Sequence, residues 1–432
     1  MTTRSAPFVH IAIRRPSAQK KGSPGGANQA VDVSDRVTGF KFTDTEKGAD
    51  KATFSVENQF YQNFDDPLFV DGNILEVSFG YPEVWSPVRE FVITKVTGGV
   101  KLSVEALGKA YLLMTEKRAR TFGPYITHSE IAEQIAQEYG FDADHTFVTP
   151  TTEVEALWIQ GGVTDHQVLQ DIARRNGFVH WIDFRGFHWG KRDLKQKPRR
   201  GFIYFTDPGR GDITSPPHVE NDITGKPATI VTKGIDPKTK QPITGKGDND
   251  TTKRDGLSKV LVITKTGAAG DYKDKHSPKA PNPTGSSAVV ATSDKTQAAA
   301  QAAAGGAYGK MQLGAVQLTF TAVGDPLMEA KTLITVSGIG QALSGNYYVT
   351  EVSHSLSGNY TMTIKCRRDG LNNGAMGPGN SSVNQSAASQ NKAHADDPKA
   401  TGVDSKETML VPVSKTGAAG QVIFVPKGGA KK

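Results

Sequence analysis

Asp71-Gly72-Asn73-Ile74-Leu75-Glu76-Val77-Ser78-Phe79-Gly80-Tyr81 decides the fold class, together with Gly345-Asn346-Tyr347-Tyr348-Val349 far downstream. Leu75, Val77 and Phe79 alternate with Glu76 and Ser78, the period-two pattern of a strand buried on one face. Outward from this stretch the pattern recurs at Phe54/Val56, Phe91/Ile93 and Leu102/Val104/Ala106, and Val9, Ile11 and Ile13 alternate with His10 in the same way. Gly72-Asn73 and Gly98-Gly99 read as turns. Residues 1–113 are therefore expected to form a first β-barrel module, since closure removes exposed edges. Around the second stretch, Leu333–Val336 and Tyr360–Ile364 point to a second module. It is expected to start within 216–243, with a strand at Ala228–Thr232, and to finish over 311–369.

Residues 114–215 break the strand pattern. Thr127-His128-Ser129-Glu130 is a capping box, followed by Ile131, Ile135 and Tyr139 on one helical face and Gly140 as a stop. Thr164-Asp165-His166-Gln167 repeats that syntax, with Val168, Leu169, Ile172 and Ala173 inward, Arg174-Arg175 complementing the helix dipole and Gly177 as the stop. Phe178–Asp183 and Phe187–Gly190, turned at Arg185-Gly186, read as a hairpin. The fold class is mainly β (α+β): two β-barrel modules flanking a small α/β domain, with a flexible insertion and C-terminal tail. Residues 244–310 read as that insertion or linker, holding a strand-like Val260–Ile263 and an Ala/Gln helix over Thr296–Ala304 that ends at Gly305-Gly306. Residues 370–432 read as a flexible tail with a short docking element. The segment KTGAAG recurs at 265–270 and 415–420, each copy preceded by an apolar stretch, as a duplicated strand-and-turn would be.

Composition narrows the function. The 432 residues carry 51 basic and 44 acidic side chains, a net charge of +7 spread without a basic patch interleaved with stacking aromatics, so nucleic acid is not an expected partner. The single cysteine, Cys366, excludes an intramolecular disulfide and a thiolate metal cluster, and it falls on the apolar face of a strand with Tyr360, Met362 and Ile364. No apolar run approaches the roughly 18 residues of a membrane span. No signal peptide is expected, and folding in a reducing cytoplasm is.

Candidate chemistry yields to structural readings. Ser337–Gly345 follows a strand like a phosphate-binding glycine loop, but the next element reads as strand Tyr347–Val352, so no helix terminus holds an anion. His218/Glu220 and His128/Glu130 lack metal-ligand spacing. Asp65-Asp66 before Pro67 reads as a turn, although paired carboxylates are capable of acid–base work. His354 is expected to be a partly buried structural histidine, and Trp158, Trp181 and Trp189 core or interface anchors. No catalytic, cofactor-binding or metal-binding residue is assigned.

Residues 164–183, TDHQVLQDIARRNGFVHWID, resemble the helix-then-hairpin segment of phage late control protein D, and are similar to T-even-like baseplate hubs and to the upper half of type VI secretion VgrG. Gly324-Asp325-Pro326, Gly345 to His354 and Tyr360 to Arg368 are similar to that family's closing barrel, and Asn58, Gly72 and Gly80-Tyr81 fit its first. The resemblance covers roughly 5–240 and 311–370. It implies a non-enzymatic structural baseplate hub, located in the virion at the tail tip and synthesised in the host cytoplasm. It further implies a homotrimer that joins a hexameric tail tube protein to a central spike or tip protein, near tape-measure and wedge proteins. The physics agrees, because a threefold assembly matches a sixfold tube only when each chain offers two quasi-equivalent surfaces. The alternatives are a tail-associated peptidoglycan hydrolase and a VgrG-like secretion tip, the latter disfavoured by the lack of a repetitive needle.

Overall fold

Alternation of apolar and polar residues becomes strand at both ends of the chain in the computed structural model, which describes residues 6–16, 30–204, 211–221, 229–236, 239–248, 257, 260–261, 263–264, 267–268, 287–291 and 296–371. The expected tail beyond Leu371, the second KTGAAG copy and most of the first lie outside the described residues.

Strands Val37–Thr45, Lys51–Glu57, Lys101–Gly108, Arg89–Gly98, Ile74–Tyr81 and Phe8–Arg14 lie side by side in that order, each antiparallel to the next. Their inward residues, among them Ile11, Phe40, Phe42, Phe54, Val56, Leu75, Val77, Phe79, Phe91 and Val104, make a first core. Gly98-Gly99 turns one hairpin as expected. Gly72-Asn73 instead ends a long connection containing the 3-10 turn Gln62–Phe64, where Gly72 N–H donates to Ile93 O (2.8 Å), so it does not join neighbouring strands directly.

The other half comprises His218–Asn221, Val316–Val323, Asn359–Arg368, Gly345–Ser357 and Leu333–Ser337, joined antiparallel, with Arg200–Ile203 running parallel to the last. Phe202, Val316, Leu318, Phe320, Val336, Tyr347, Val349, Met362 and Ile364 fill a second core. The 13-residue strand Gly345–Ser357 belongs to both halves, because its stretch from Glu351 to Leu356 also pairs with Val37–Thr45. A β-bulge between Val349 and Glu351 shifts its register. The shift lets Tyr347, Val349 and Val352 face the second core while Leu356 packs in the first. The chain is mainly β as expected. Its two halves are one continuous sheet, however, and among the described residues the ladder runs as an open path from His218–Asn221 to Val31–Asp32 without closing a ring.

Between the halves lie helices α1 (Leu112–Thr115), α2 (His128–Glu138) and α3 (Asp165–Asn176). Both expected capping boxes are present, at Thr127/Glu130 and Thr164/Gln167, and Gly177 takes the left-handed C-cap conformation (φ 69°). Ile131, Ile135, Val168, Leu169 and Ile172 pack with Phe187 and Trp189 of the hairpin Val179–Asp183/Gly186–Gly190. The antiparallel pair Lys117–Phe122 and Trp158–Thr164 was not legible beforehand, since its outward residues are mixed in character.

Two expectations fail, one at the start of the second module and one in the region read as an insertion. The strand expected to open the second barrel, Thr229–Ile235, runs instead in a separate three-stranded sheet between Pro242–Gly247 and Ser287–Ala291. The helix expected to end at Gly305-Gly306 continues as α4 (Gln297–Leu313). Tertiary contact explains both. Added Cβ atoms on Gly245 and Gly247 would lie 2.0 Å from Ala300 O and 2.2 Å from Ala304 O, so α4 rests directly on that strand. Gln297 and Gln301 side chains each accept from and donate to the strand backbone, at Thr244 (3.3 and 2.7 Å) and Lys246 (3.1 and 2.6 Å). Four helical residues rise about 6 Å and two strand residues about 6.8 Å, so side chains at i and i+4 match alternate strand residues and seal the edge.

Candidate functional site

Some of the residues that carry the resemblance, Tyr81, Gly324, Asp325, His354 and Tyr360, converge on the seam between the two halves. An added Cβ on Gly324 would lie 2.3 Å from the Tyr360 ring, so only glycine fits beneath it. Asp325 accepts from Leu327 N–H (3.0 Å) and from Arg200 Nη1 (2.7 Å), fixing the turn that follows. That turn presents Met328 O to His354 Nε2 (3.1 Å), while the Tyr360 hydroxyl donates to His354 Nδ1 (2.8 Å). A carbonyl can only accept, so the ring is the neutral Nε2–H tautomer. His354 is fully buried against Phe42 and Phe79, and burial, reinforced by Arg89, lowers its pKa to about 4. It pins three segments together and near neutrality carries no imidazolium proton to donate.

The neighbouring tyrosines act similarly. Tyr347 donates to Leu343 O (2.6 Å), beneath the Arg368 guanidinium, which donates to the same carbonyl (2.9 Å). Tyr348 donates to Glu46 Oε1 (2.9 Å), a carboxylate also gripped by Arg192 through Nε and Nη2 (2.5 and 3.0 Å). Burial opposes charge on Glu46, yet Arg192 and Tyr348 hold it below the usual carboxylate range.

A second polar cluster joins both halves to the α/β part. Asp44 continues the apolar face of Phe40 and Phe42, and it binds Lys331 Nζ and Ala330 N–H. Lys331 has a left-handed backbone (φ 65°) and also donates from Nζ to Thr45 O (3.2 Å). Glu329, almost wholly buried, accepts from Arg89 (3.2 Å), Arg185 (2.9 Å) and Arg199 (2.9 Å). Burial and the nearby Asp44 push Asp50 up to about 7. Burial also opposes charge on Asp183, but its hydrogen bond to His188 (3.1 Å) wins and lowers it to about 2. These groups line a cavity of about 230 Å³. None was singled out from sequence. A charge at Asp44 in the apolar phase of a strand was the one visible signal, and nothing in the sequence pairs it with a lysine from the other half.

The remaining candidates take structural places. Ser337–Gly345 connects two antiparallel strands. His128 opens α2 and contacts Asn176 (2.8 Å), His218 pairs with Glu220 (3.3 Å) in the open, and Asp66 binds Arg36 (2.9 Å) and the Leu68 N–H. Trp189 is buried in the α/β core, whereas Trp158 and Trp181 are half-buried. Cys366 is buried, and burial raises its thiol pKa. Among the described residues no three His, Cys, Asp or Glu side chains gather to hold a metal ion, and no helix is long and apolar enough to cross a membrane.

This architecture, two β cores on one sheet with an α/β insert, is shared with phage tail proteins of solved structure. The chain is similar to a tail protein from Neisseria meningitidis MC58 at 14% identity and TM-score 0.58, over 84% of this chain and 98% of that one. It is also similar to the 43 kDa tail protein of prophage MuSo2 from Shewanella oneidensis, at 13% identity and TM-score 0.59 over 84% and 99%. The prophage tail protein gp18 from Listeria monocytogenes EGD-e matches at 11% identity and TM-score 0.50, over 89% and 98%. No protein-family model and no curated protein sequence matches the chain.

Proposed function

We propose that this protein is a structural, non-enzymatic component of a phage tail or tail-derived injection machine, acting as a trimeric baseplate hub between a hexameric tube and a central spike. The observation that carries this reading is the pair of hydrophobic cores on one continuous sheet within one chain, in a fold shared with tail proteins over nearly their whole length. Three such chains present six sheet modules around an axis, the minimum that lets threefold and sixfold rings meet. The seam residues support a load-transmitting role, since each is hydrogen-bonded or ion-paired across segments and His354 is held neutral. On this reading the protein sits in the baseplate at the tail tip, with tube, spike, tape-measure and wedge proteins as neighbours.

Light scattering on the purified full chain, alone and mixed with its tube and spike proteins, tests the proposal. A species of three times 46.3 kDa is expected, alone or on mixing. A monomer indifferent to both partners refutes it. Clearing of purified cell walls by the protein alone refutes the non-enzymatic part.

A further inference from the structure

Three guanidinium groups converge on one carboxylate at the Glu329 cluster. Arg89 is buried, but the side chains of Arg185 and Arg199 are 47% and 33% exposed and form the mouth of the 230 Å³ cavity. Among the described residues, the Arg199 guanidinium spends one N–H on Glu329 Oε2, out of the five that such a group carries. Arg185 uses Nη2 on Glu329, while its Nη1 stands 3.5 Å from Asp183. Asp183 is otherwise occupied by His188, by the Arg185 backbone N–H and by Trp181 Nε1 (3.4 Å). Asp44 is matched by Lys331.

The charged groups facing the cavity come from every element around it. Asp44, Asp50 and Arg89 belong to the first half of the sheet, and Asp183, Arg185 and His188 to the hairpin. Arg199, Glu329 and Lys331 come from the connection and the second half. Four basic groups, Arg89, Arg185, Arg199 and Lys331, with His188 beside them, face Asp44, Asp50, Asp183 and Glu329, and burial raises Asp50 to about 7. A proton on Asp50 leaves the basic groups in excess, beside unused, fork-shaped donors at the rim.

We propose that this cavity binds a second carboxylate, held by Arg185 and Arg199 at its mouth. The two oxygens of a carboxylate match the forked donors left on Arg185 and Arg199. A phosphate near two charges would bring more negative charge close to Asp183 and Glu329. The volume admits a carboxyl group with a short aliphatic stem, so the ligand is either a small free carboxylate or an acidic side chain presented by a partner protein. Ionisation of Asp50 adds a negative charge to the cavity wall, so binding weakens as pH rises from 6 to 8.

Calorimetric titration of the full chain at pH 6 and constant ionic strength, using sodium acetate, sodium chloride, inorganic phosphate and a pentaglutamate peptide, tests this. Saturable acetate binding with no chloride counterpart is expected, weakened at least tenfold in Arg199→Gln and again at pH 8. Peptide binding more than tenfold tighter than acetate assigns the ligand to a partner's acidic side chain, and equal binding assigns it to a free carboxylate. Equal response to acetate and chloride overturns the proposal, as does phosphate binding tighter than acetate. Unchanged acetate affinity in a folded Arg199→Gln also overturns it. Arg185→Gln provides the same readout should Arg199→Gln misfold, since Glu329 keeps two arginines in either variant. The outcome is independent of whether the chain trimerises.

Discussion

Replacing Gly306 by alanine should destabilise the protein even though it improves the helix. Gly306 lies on α4 where that helix crosses the end of α3, and an added Cβ would stand 2.5 Å from Gly177 Cα and 2.9 Å from Gly177 N. Both are backbone atoms, so no rotamer change relieves the clash and the two helices must separate. Overpacking of this kind costs about 1–3 kcal/mol. Removing a glycine from a helix interior returns about 1 kcal/mol. The expected net loss is up to about 2 kcal/mol. Gly309 supplies the control, because its added Cβ would have nothing within 4 Å. Gly309→Ala should therefore stabilise by up to about 1 kcal/mol through helix propensity alone. Urea unfolding followed by circular dichroism reads both variants as opposite shifts of the midpoint. If Gly306→Ala raises the midpoint as Gly309→Ala does, the helices do not touch there. The glycine pair would then be the helix break that its sequence suggests.

Two further outcomes follow from the seam and the sealed edge. His354 titrates near 6.5 when unfolded and near 4 when folded, so the unfolded chain gains a proton first and stability falls as pH drops from about 6.5 to 4. The loss is on the order of 3 kcal/mol. His354→Phe should remove that part of the acid sensitivity, read as the difference in urea midpoint between pH 7 and 4.5; an unchanged difference contradicts the buried neutral ring. His180, lowered to about 3 by burial and by His166, keeps its own share in the variant. Gln297→Ala with Gln301→Ala should speed hydrogen exchange at the Thr244 and Lys246 amides by roughly tenfold, the worth of one lost hydrogen bond each. Unaltered exchange at those two amides would show that the edge is protected by something else.

Local signals were sufficient for several elements. The alternation around Leu75, Val77 and Phe79, the two capping boxes, the stop at Gly177 and the hairpin after it all depend on residues within a few positions of one another. The candidate site divides on the same line. That Gly324, Tyr347, Tyr348, His354, Tyr360 and Arg368 belong together was legible as an ordered succession, but their roles were not. The histidine's tautomer depends on a carbonyl at Met328 and a hydroxyl at Tyr360, which are set by the turn and by strand register. Glu329, Lys331 and the three arginines carried no signal, because ion pairs formed between distant segments leave no spacing to read.

By itself, then, the amino-acid order determined a mainly β chain with a two-helix insert, since side-chain alternation and helix caps are properties of neighbouring residues. Tertiary structure alone decided that Gly345–Ser357 fuses both halves into one sheet, that α4 runs through its glycines, and that a strand read as part of a barrel sits beneath that helix. Each of those outcomes is fixed by backbone approaching backbone across long stretches of chain. Such contacts stabilise conformations that local propensity disfavours, and only their three-dimensional arrangement records them.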